Sequence, residues 1–391
     1  MKIQFLQKIL LSILVLSGFS LPLQADPIRG VWIPDPSHTT LMHTYQNIAK
    51  GVKEMSQLGI NTLFLCTYAK TDIAFKSEVY TRYSTFESAN QSYMFAPYAA
   101  NYNTPLKSPT GDPVRDLLDE ANRYGMKVIF WFEYGFMGTH GPTPDNHPLL
   151  SKNPGWQSAA NDGKQAAYNN SDYYLNAYHP AIQEFLIQLM EESLRLYPDA
   201  AGIQGDDRTP AMPKNSGYDP YTVALYRSEH NGTEPPADFN DPEWTAWRLD
   251  ILNRFARNLY GRIKAKSLDY LVCFAPNPYP WCLDNLMQDS QTWIKEGIVD
   301  LLSVQCYRFT EDAYRQTVTE AMKYATQQSN KHILNPGIIL KVGDRYLPDS
   351  VLQKQIEINK SLGTNGESFF YNEGFNNIRI STTLKKNYLK N

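Results

Sequence analysis

Short apolar segments rich in β-branched and aromatic residues alternate with amphipathic segments along almost the whole chain. Eight segments have the composition of buried strands: residues 29–34, 61–68, 127–134, 202–208, 270–277, 301–308, 333–340 and 368–375. Six segments between them have apolar residues at helical spacing: residues 45–59, 112–125, 179–198, 243–266, 313–328 and 350–363. Alternation of this kind favours a parallel sheet, and eight strands predict an α/β fold, a (β/α)8 TIM barrel.

An open, doubly wound sheet is the alternative arrangement of the same elements. Such a sheet would carry a glycine-rich phosphate-binding loop after its first strand, whereas this chain reads VWIPDPSHTT at that place. The sequence therefore favours the closed barrel.

Two connections are much longer than the others. Residues 69–111 and residues 209–242 are rich in Pro, Asn, Gly and Tyr, and both follow the C-terminal end of a predicted strand. In a barrel this is the face that carries the active site. We therefore expect extended loops at the C-terminal face to build a cleft.

Residues 1–25 have the pattern of an export signal. Lys2 and Lys8 make the start basic, an apolar stretch follows, and a small-residue cleavage site ends at Ala25. We expect residues 1–25 to be a signal peptide and residues 26–391 to form a single catalytic barrel domain that is exported to the periplasm or beyond the cell. No later segment is apolar enough to span a bilayer, so no membrane association is expected after cleavage.

Charge and composition narrow the range of partners. Without Lys2 and Lys8, the 37 Lys and Arg residues fall to 35, against 40 Asp and Glu residues. A net negative surface is a poor partner for nucleic acid or anionic lipid. Aromatic residues make up 13% of the chain, and sugar faces pack well on such rings. A polysaccharide or oligosaccharide is the expected partner, and the oligomeric state is left open.

No metal or other cofactor is predicted. His38 and His43 form an isolated H-x4-H pair, and such a pair more often has a structural role than a metal-binding one. The cysteines form no C-x-x-C pair, and export permits disulfides whose pairing the sequence leaves open. They are Cys66, Cys273, Cys282 and Cys306.

Acidic residues stand at the ends of three predicted strands. The fourth strand reads GIQGDDR and ends in Asp206 and Asp207, while Glu133 and Glu373 stand at the ends of the third and eighth. Side chains alternate along a strand, so if Gln204 faces the barrel axis, Asp206 does too, and Asp207 lies at the rim. A protonated carboxyl beside an ionised one is the usual equipment for cleaving a glycosidic bond.

Aromatic and polar residues stand at the same strand ends. We expect five aromatic rings to form sugar platforms: Trp131, Tyr134, Trp281, Tyr307 and Tyr371. Asn277 and Arg208 are further candidates for substrate binding, and Arg208 could hold Asp207 ionised by lowering its pKa. On this reasoning Asp206 is the proton donor, Glu133 or Glu373 is the second carboxylate, and Asp207 has a supporting role.

Several motifs resemble one known family of barrels. GIQGDDR, FWFEYGFM, YLNAYHPAIQEFL, GYDPYTVALY and VDLLSVQCYR occur in the order and at the spacing of the bacterial glycosyl-hydrolase-like family 10, over about residues 29–375. The resemblance implies a (β/α)8 barrel that acts on glycosidic bonds, in some members those of peptidoglycan. Its site residues would fall on Glu133, Asp206, Asp207, Asn176, His179, Tyr307 and Glu373.

The chain departs from the family pattern beside the acidic pair. Gly205 stands where the family usually has a bulky residue, and Arg208 stands where it often has His or Tyr.

The export signal, the strand-end acids and the family resemblance together predict an exported glycoside hydrolase. It would act on a polysaccharide of the cell-wall type through carboxylate acid and base groups. The alternative is a carbohydrate-binding barrel without turnover. Which glycan is bound and the stereochemical course are left open.

Overall fold

The computed structural model describes residues 26–70, 72–86, 93–328 and 330–389, and the predicted signal peptide lies outside these ranges. Within them, eight parallel strands lie close to the eight predicted ones. In chain order, β1 to β8 are Ile28–Ile33, Thr62–Ala69, Lys127–Phe132, Gly202–Gly205, Leu271–Phe274, Leu301–Leu302, Gly337–Ile339 and Gly366–Phe370. The predicted α/β class is confirmed.

These strands form a closed ring. Each of β1 to β5 pairs in parallel with the next strand, β7 pairs with β8, and β8 returns to β1. Between β6 and β7 the ring closes through a parallel bridge from Leu302 to Leu334. There the backbone N–H of Gly337 also donates to the carbonyl of Val304 at 2.7 Å. The predicted (β/α)8 TIM barrel is therefore confirmed.

One helix of the outer layer follows each strand. In chain order, α1 to α8 are Tyr45–Ser56, Pro113–Arg123, Pro180–Leu196, Pro242–Lys266, Ser290–Glu296, Glu311–Gln327, Asp349–Leu362 and Ile378–Tyr388. Six of them overlap the predicted helical segments. The prediction lacked α5, whose seven residues are too few to show a helical period, and α8, which follows the last strand. No helix within the described ranges is long and apolar enough to cross a bilayer.

The connections at the C-terminal ends of the strands carry the additional elements. Short helices are Glu78–Tyr83, Pro148–Lys152, Pro220–Glu229 and Trp281–Leu286, and 3-10 helices are Leu41–His43, Ala96–Asn101, Pro154–Trp156 and Asn372–Asn376. A further 3-10 helix, Lys331–Ile333, lies instead between α6 and β7, before the N-terminal end of that strand. Short strands are Asp72–Ile73, Met137–His140, Ala167–Tyr168, Asp172–Tyr174, Lys341–Val342 and Arg345–Tyr346. Both predicted long loops are present, since Glu78–Tyr83 lies in the first and Pro220–Glu229 in the second.

A third long connection, residues 133–179, was not predicted. It holds a three-stranded antiparallel sheet whose strands, Met137–His140, Ala167–Tyr168 and Asp172–Tyr174, are two to four residues long. Strands this short carry too few residues for an alternating pattern to be recognised.

The bore of the barrel is filled by large rings and a few paired polar groups. Trp32 donates from Nε1 to Oε1 of Gln204 at 2.7 Å, and both side chains are fully buried. A Cβ at Gly30 would lie 2.4 Å from Oγ of Ser368, so only glycine fits at this point of closest approach. Gln204 thus faces the barrel axis as predicted. Asp206, two residues later, continues on the same face.

All four cysteines are buried free thiols: Cys66, Cys273, Cys282 and Cys306. The structure contains no disulfide among them, although the predicted export would have permitted one or two.

Candidate active site

A cavity of about 110 Å³ opens at the C-terminal ends of the barrel strands. Its walls come from residues at the ends of β1, β3, β4, β5, β6 and β8, so residues far apart in the chain meet there. They are Trp32, Trp131, Glu133, Asp206, Asp207, Arg208, Ala275, Gln305, Tyr307 and Phe370. The structure therefore brings together three of the four acids that the sequence singled out.

Asp206 is the most enclosed of these acids, with 2% of its surface exposed. Its Oδ1 accepts the backbone N–H of Arg208 at 3.0 Å. Its Oδ2 accepts from Nε1 of Trp131 at 3.3 Å and from Nη1 of Arg208 at 3.2 Å. Gln288 fixes the backbone by donating to the Asp206 carbonyl at 3.0 Å. The carboxyl is thus held in one orientation, facing the cavity.

Asp207 lies at the rim and is partly exposed, as the alternation predicted. Its Oδ1 accepts from Nη1 of Arg208 at 2.8 Å, and its Oδ2 accepts from the amide of Asn277 at 3.1 Å. Both carboxylate oxygens are therefore engaged by side chains that themselves belong to the mouth of the barrel.

Arg208 is the cation that these acids share. Its guanidinium contacts both aspartates, its Nε lies 3.0 Å from the sulfur of Met137, and its Cζ lies 5.2 Å from the ring centroid of Tyr134. The ring of Tyr134 thus packs against Arg208 and does not line the cavity. Sequence reasoning had placed Tyr134 among the sugar platforms.

Glu133 lies on the same face of its strand as Trp131, as predicted, and lines the cavity. Its Oε2 accepts from the thiol of Cys66 at 3.4 Å. Burial raises the pKa of Glu133, an effect that the charge of Arg208 partly offsets. The low dielectric around the group thus favours its protonated form.

Burial raises the pKa of Asp206 more strongly than that of Glu133. Burial is the largest cause that raises its pKa well above the ordinary value, and the charge of Asp207 adds to it, while Arg208 opposes both. Three carboxyl groups share one guanidinium here, so full ionisation would leave two uncompensated charges in a dry cavity. The site therefore retains a proton, and Asp206 is the group best placed to carry it.

Aromatic rings form the walls of the cavity. Tyr307 stacks on Phe370 with ring centroids 5.3 Å apart, and the edge of Phe370 meets Trp32 at 6.2 Å. Trp281 lies outside these walls, 39% exposed, with its ring 5.6 Å from that of Tyr168. Sequence reasoning missed Trp32 and Phe370, although both share a face with inward-pointing residues of β1 and β8.

Glu373 does not meet the other acids. Strand β8 ends at Phe370 and the chain turns into the 3-10 helix Asn372–Asn376, so the alternation used for the prediction no longer holds there. The Glu373 carboxylate accepts from Oγ1 of Thr39 at 2.7 Å and from the amide of Asn376 at 2.7 Å. It lines a separate cavity of about 520 Å³ beside α1 and α8.

Tyr371 lies beyond the same strand end. Its ring faces Nζ of Lys341 at 6.0 Å and does not line the cavity of Asp206. The expected sugar platform at this position is therefore not part of that cavity.

Asn176 and His179 also lie away from the cavity. Asn176 is fully buried, where its amide donates to Oδ1 of Asp219 at 2.7 Å. His179 caps α3, since its Nδ1 accepts the backbone N–H of Ala181 at 3.1 Å. These two residues position the connection that leads into α3, and the roles implied by the family resemblance are not visible in their contacts.

The described residues contain no group of three or more His, Cys, Asp or Glu side chains that could hold a metal ion. The two histidines considered above have other partners. Nδ1 of His38 lies 2.9 Å from Oδ2 of Asp35, and Nε2 of His43 lies 2.7 Å from the carbonyl of Pro36.

Two bacterial relatives share sequence with most of the chain. A "Glycosyl hydrolase YngK" of Bacillus subtilis is 23% identical over 346 residues, which covers 78% of this chain and 59% of the relative. A "Glycosyl hydrolase DigH" of Escherichia coli K12 is 21% identical over 388 residues, which covers 90% of this chain and 80% of the relative. The chain thus spans about three-fifths of the length of the first relative.

Solved structures of glycoside hydrolases share the fold. The glycoside hydrolase domain of PgaB (BpsB) from Bordetella bronchiseptica superposes with a TM-score of 0.61 at 15% identity, covering 93% of this chain and 100% of that domain. The catalytic domain of a β-amylase from Paenibacillus polymyxa gives a TM-score of 0.59 at 12% identity, with coverage of 93% and 98%. At such identities the likeness concerns the fold alone.

The sequence model of one protein family matches most of the chain, from residue 27 to residue 348. This is the family that the motifs at the strand ends had suggested, and the barrel fold agrees with it. The chain belongs to the glycosyl hydrolase-like 10 family.

Proposed function

We propose that this protein is an exported glycoside hydrolase that cleaves the glycosidic bonds of a polysaccharide, a cell-wall glycan of the peptidoglycan type. One observation carries the proposal: the buried carboxyl of Asp206 shares an aromatic-walled cavity with the second carboxyl of Glu133. Membership of the glycosyl hydrolase-like 10 family supports the same reaction class.

Asp206 is the general acid in this proposal. Burial raises its pKa and so favours the protonated carboxyl, and this proton passes to the bridging oxygen as the glycosidic bond breaks. Trp131 and the backbone N–H of Arg208 fix the carboxyl before the substrate arrives. The positive charge that develops on the sugar ring requires a second, ionised carboxylate nearby.

Glu133 is that second carboxylate, because Glu373 lies outside the cavity. Once Asp206 holds the proton, Arg208 stabilises an ionised Glu133, whose pKa it lowers against the effect of burial. Glu133 then stabilises the oxocarbenium-like state, either directly or by taking a proton from attacking water. Asp207, held by Arg208 and Asn277, orients the guanidinium and tunes the pair.

A carbohydrate-binding barrel without turnover is a second candidate. The observation that favours it is the ion pairing of Arg208 with both Asp206 and Asp207. A guanidinium that neutralises both acids in the free protein would hold them away from a bridging oxygen. On this view, the aromatic walls bind sugar and no bond breaks.

Release of reducing ends decides between the two functions. The purified chain is incubated with peptidoglycan and with glycan strands stripped of peptides, beside the variant Asp206→Asn. We expect the wild type to release reducing ends and the folded variant to lose at least about 10³-fold in rate, since a general acid and its electrostatics contribute on this scale. Binding with no release by either protein would establish the binding barrel instead.

A further inference from the structure

The loop that follows β5 exposes two large aromatic side chains within three residues. Tyr279 is 36% exposed and Trp281 is 39% exposed, and each follows a proline, Pro278 or Pro280. Proline fixes one backbone angle of its residue and restricts the residue before it, so the loop presents its rings with little freedom to lose. Exposed rings held in this way are typical of ligand contacts.

Tyr279 lines another cavity, separate from the candidate active site. This cavity has a volume of about 370 Å³ and lies between the β5 loop, α5 and α6. Its aromatic members are Tyr279 and Tyr324, and its polar members are Ser290, Gln291, Thr317, Glu320, Lys323 and Gln327. We call it the Tyr279 groove.

The polar groups of the groove are largely free. Within the described ranges, neither the hydroxyls of Tyr279 and Tyr324 nor the amides of Gln291 and Gln327 take part in a side-chain hydrogen bond. Glu320 and Lys323 form no salt bridge there either. Hydroxyl, amide and ring groups therefore remain available to a ligand in one concave site.

We propose that the Tyr279 groove is a second binding site for the glycan, outside the cavity of Asp206. Its occupant is an uncharged run of sugar rings: their C–H faces stack on Tyr279 and Tyr324, and the free amides bind hydroxyl or acetamido groups. One Glu and one Lys line the groove, so it has no net charge to attract a polyanion. This inference rests on the proposed function.

The groove and the cavity are connected through one short segment. Asn277 donates to Asp207 in the candidate active site, and Tyr279 lies in the groove two residues later. Just after β6, Val304 lines the groove and the next residue, Gln305, lines the cavity. A glycan held in the groove is thereby retained beside the acids, which raises its effective concentration there.

Calorimetric titration of the full chain tests the groove. The variant Asp206→Asn, which removes turnover, is titrated with chitohexaose, an uncharged run of six N-acetylated sugar rings. Adding Tyr279→Ala should weaken binding about tenfold, the usual effect of losing a central aromatic contact. Gln291→Ala should weaken it in the same direction. Tyr124→Ala is the matched control, because Tyr124 is 42% exposed at the distant end of α2.

In the wild-type background, the groove variants should slow release from long strands at low concentration and leave cleavage of a chitotriose unchanged. Unaltered binding in folded Tyr279→Ala and Gln291→Ala proteins overturns the proposal, as does a complete absence of saturable binding. Binding only to peptide-bearing peptidoglycan overturns it in favour of a peptide site. If no protein releases reducing ends, the proposed hydrolase function fails, while the titration still decides whether the groove binds glycan.

Discussion

Nη1 of Arg208 lies 2.8 Å from Oδ1 of Asp207. The same nitrogen lies 3.2 Å from Oδ2 of Asp206, so one NH2 group of the guanidinium donates to two adjacent acids. Arg208 also lowers the pKa of Glu133 against the effect of burial. The single guanidinium therefore sets the protonation of the whole candidate site.

Replacement of Arg208 by Gln should move the pH optimum of hydrolysis upward. Loss of the cation raises the pKa of Asp206 and of Glu133, since Arg208 lowers both. Asp206, the general acid, then keeps its proton to higher pH, and Glu133, the second carboxylate, ionises only at higher pH. Both limbs of the pH profile therefore move upward by about one to two pH units. The dependence of kcat/KM on pH measures this shift.

Arg308→Gln is the control for that substitution. Nη1 of Arg308 donates to the carbonyl of Tyr307, and its side chain does not line the cavity. Its pH profile should match the wild type. An unmoved optimum in Arg208→Gln would show that Arg208 does not set the protonation of the acids.

Glu133 and Glu373 should respond differently to the same substitution. Glu133→Gln should lower kcat by at least about 10²-fold, because the second carboxylate of the cavity is lost. Glu373→Gln should keep kcat within about threefold, since Glu373 bonds to Thr39 and Asn376 in a separate cavity. Steady-state hydrolysis of stripped glycan strands measures both. The reverse ranking would assign the second carboxylate to Glu373.

The fold could be predicted from sequence because its signals are local and repeated. Eight apolar segments correspond to eight strands, and inward-facing Gln204 correctly placed Asp206 on the axis and Asp207 at the rim. The antiparallel sheet in residues 133–179 was missed, because its strands are too short to show a period.

Site residues could be predicted only where the alternation of side chains along a strand still holds. Glu133 lies one residue past the end of β3 and follows the alternation, whereas Glu373 lies three residues past β8 in a 3-10 helix and does not. Asn176 turned out to be buried against Asp219, a partner 43 residues away that no local pattern indicates. The sharing of Arg208 by the acids is likewise a tertiary contact.

Arg248 should contribute strongly to stability. It is fully buried, and its guanidinium donates to the carbonyls of Lys214 at 2.5 Å, Ser216 at 2.7 Å and Phe239 at 2.6 Å, all in the long connection after β4. Arg248→Met leaves these carbonyls unpaired and should lower the free energy of unfolding by about 3 kcal/mol.

Urea denaturation measures this loss, with Arg254→Met as the control on the same helix. Arg254 is exposed and pairs with Asp250 at 3.2 Å, so its loss should cost under about 1 kcal/mol. Equal effects of the two substitutions would mean that the carbonyls find water as a replacement partner.

Asp206→Asn should stabilise the protein at neutral pH while it removes activity. Burial and the charge of Asp207 raise the folded-state pKa of Asp206 well above its ordinary value. The folded state therefore holds a proton that the unfolded state releases, and the free energy of unfolding falls as pH rises from about 4 towards the raised pKa. Asparagine has no proton to lose, so the variant lacks this fall.

We expect urea denaturation at about pH 7 to show the Asn variant more stable by about 1 kcal/mol or more, with the difference shrinking towards about pH 4. Asp145→Asn, a substitution at an exposed loop position, should change stability at neither pH. A variant that is less stable at both pH values would mean that the ionised carboxylate is held favourably by Arg208 and Trp131. Asp206 would then be ionised in the free protein and could not be the proton donor, so this measurement tests the proposed mechanism without any substrate.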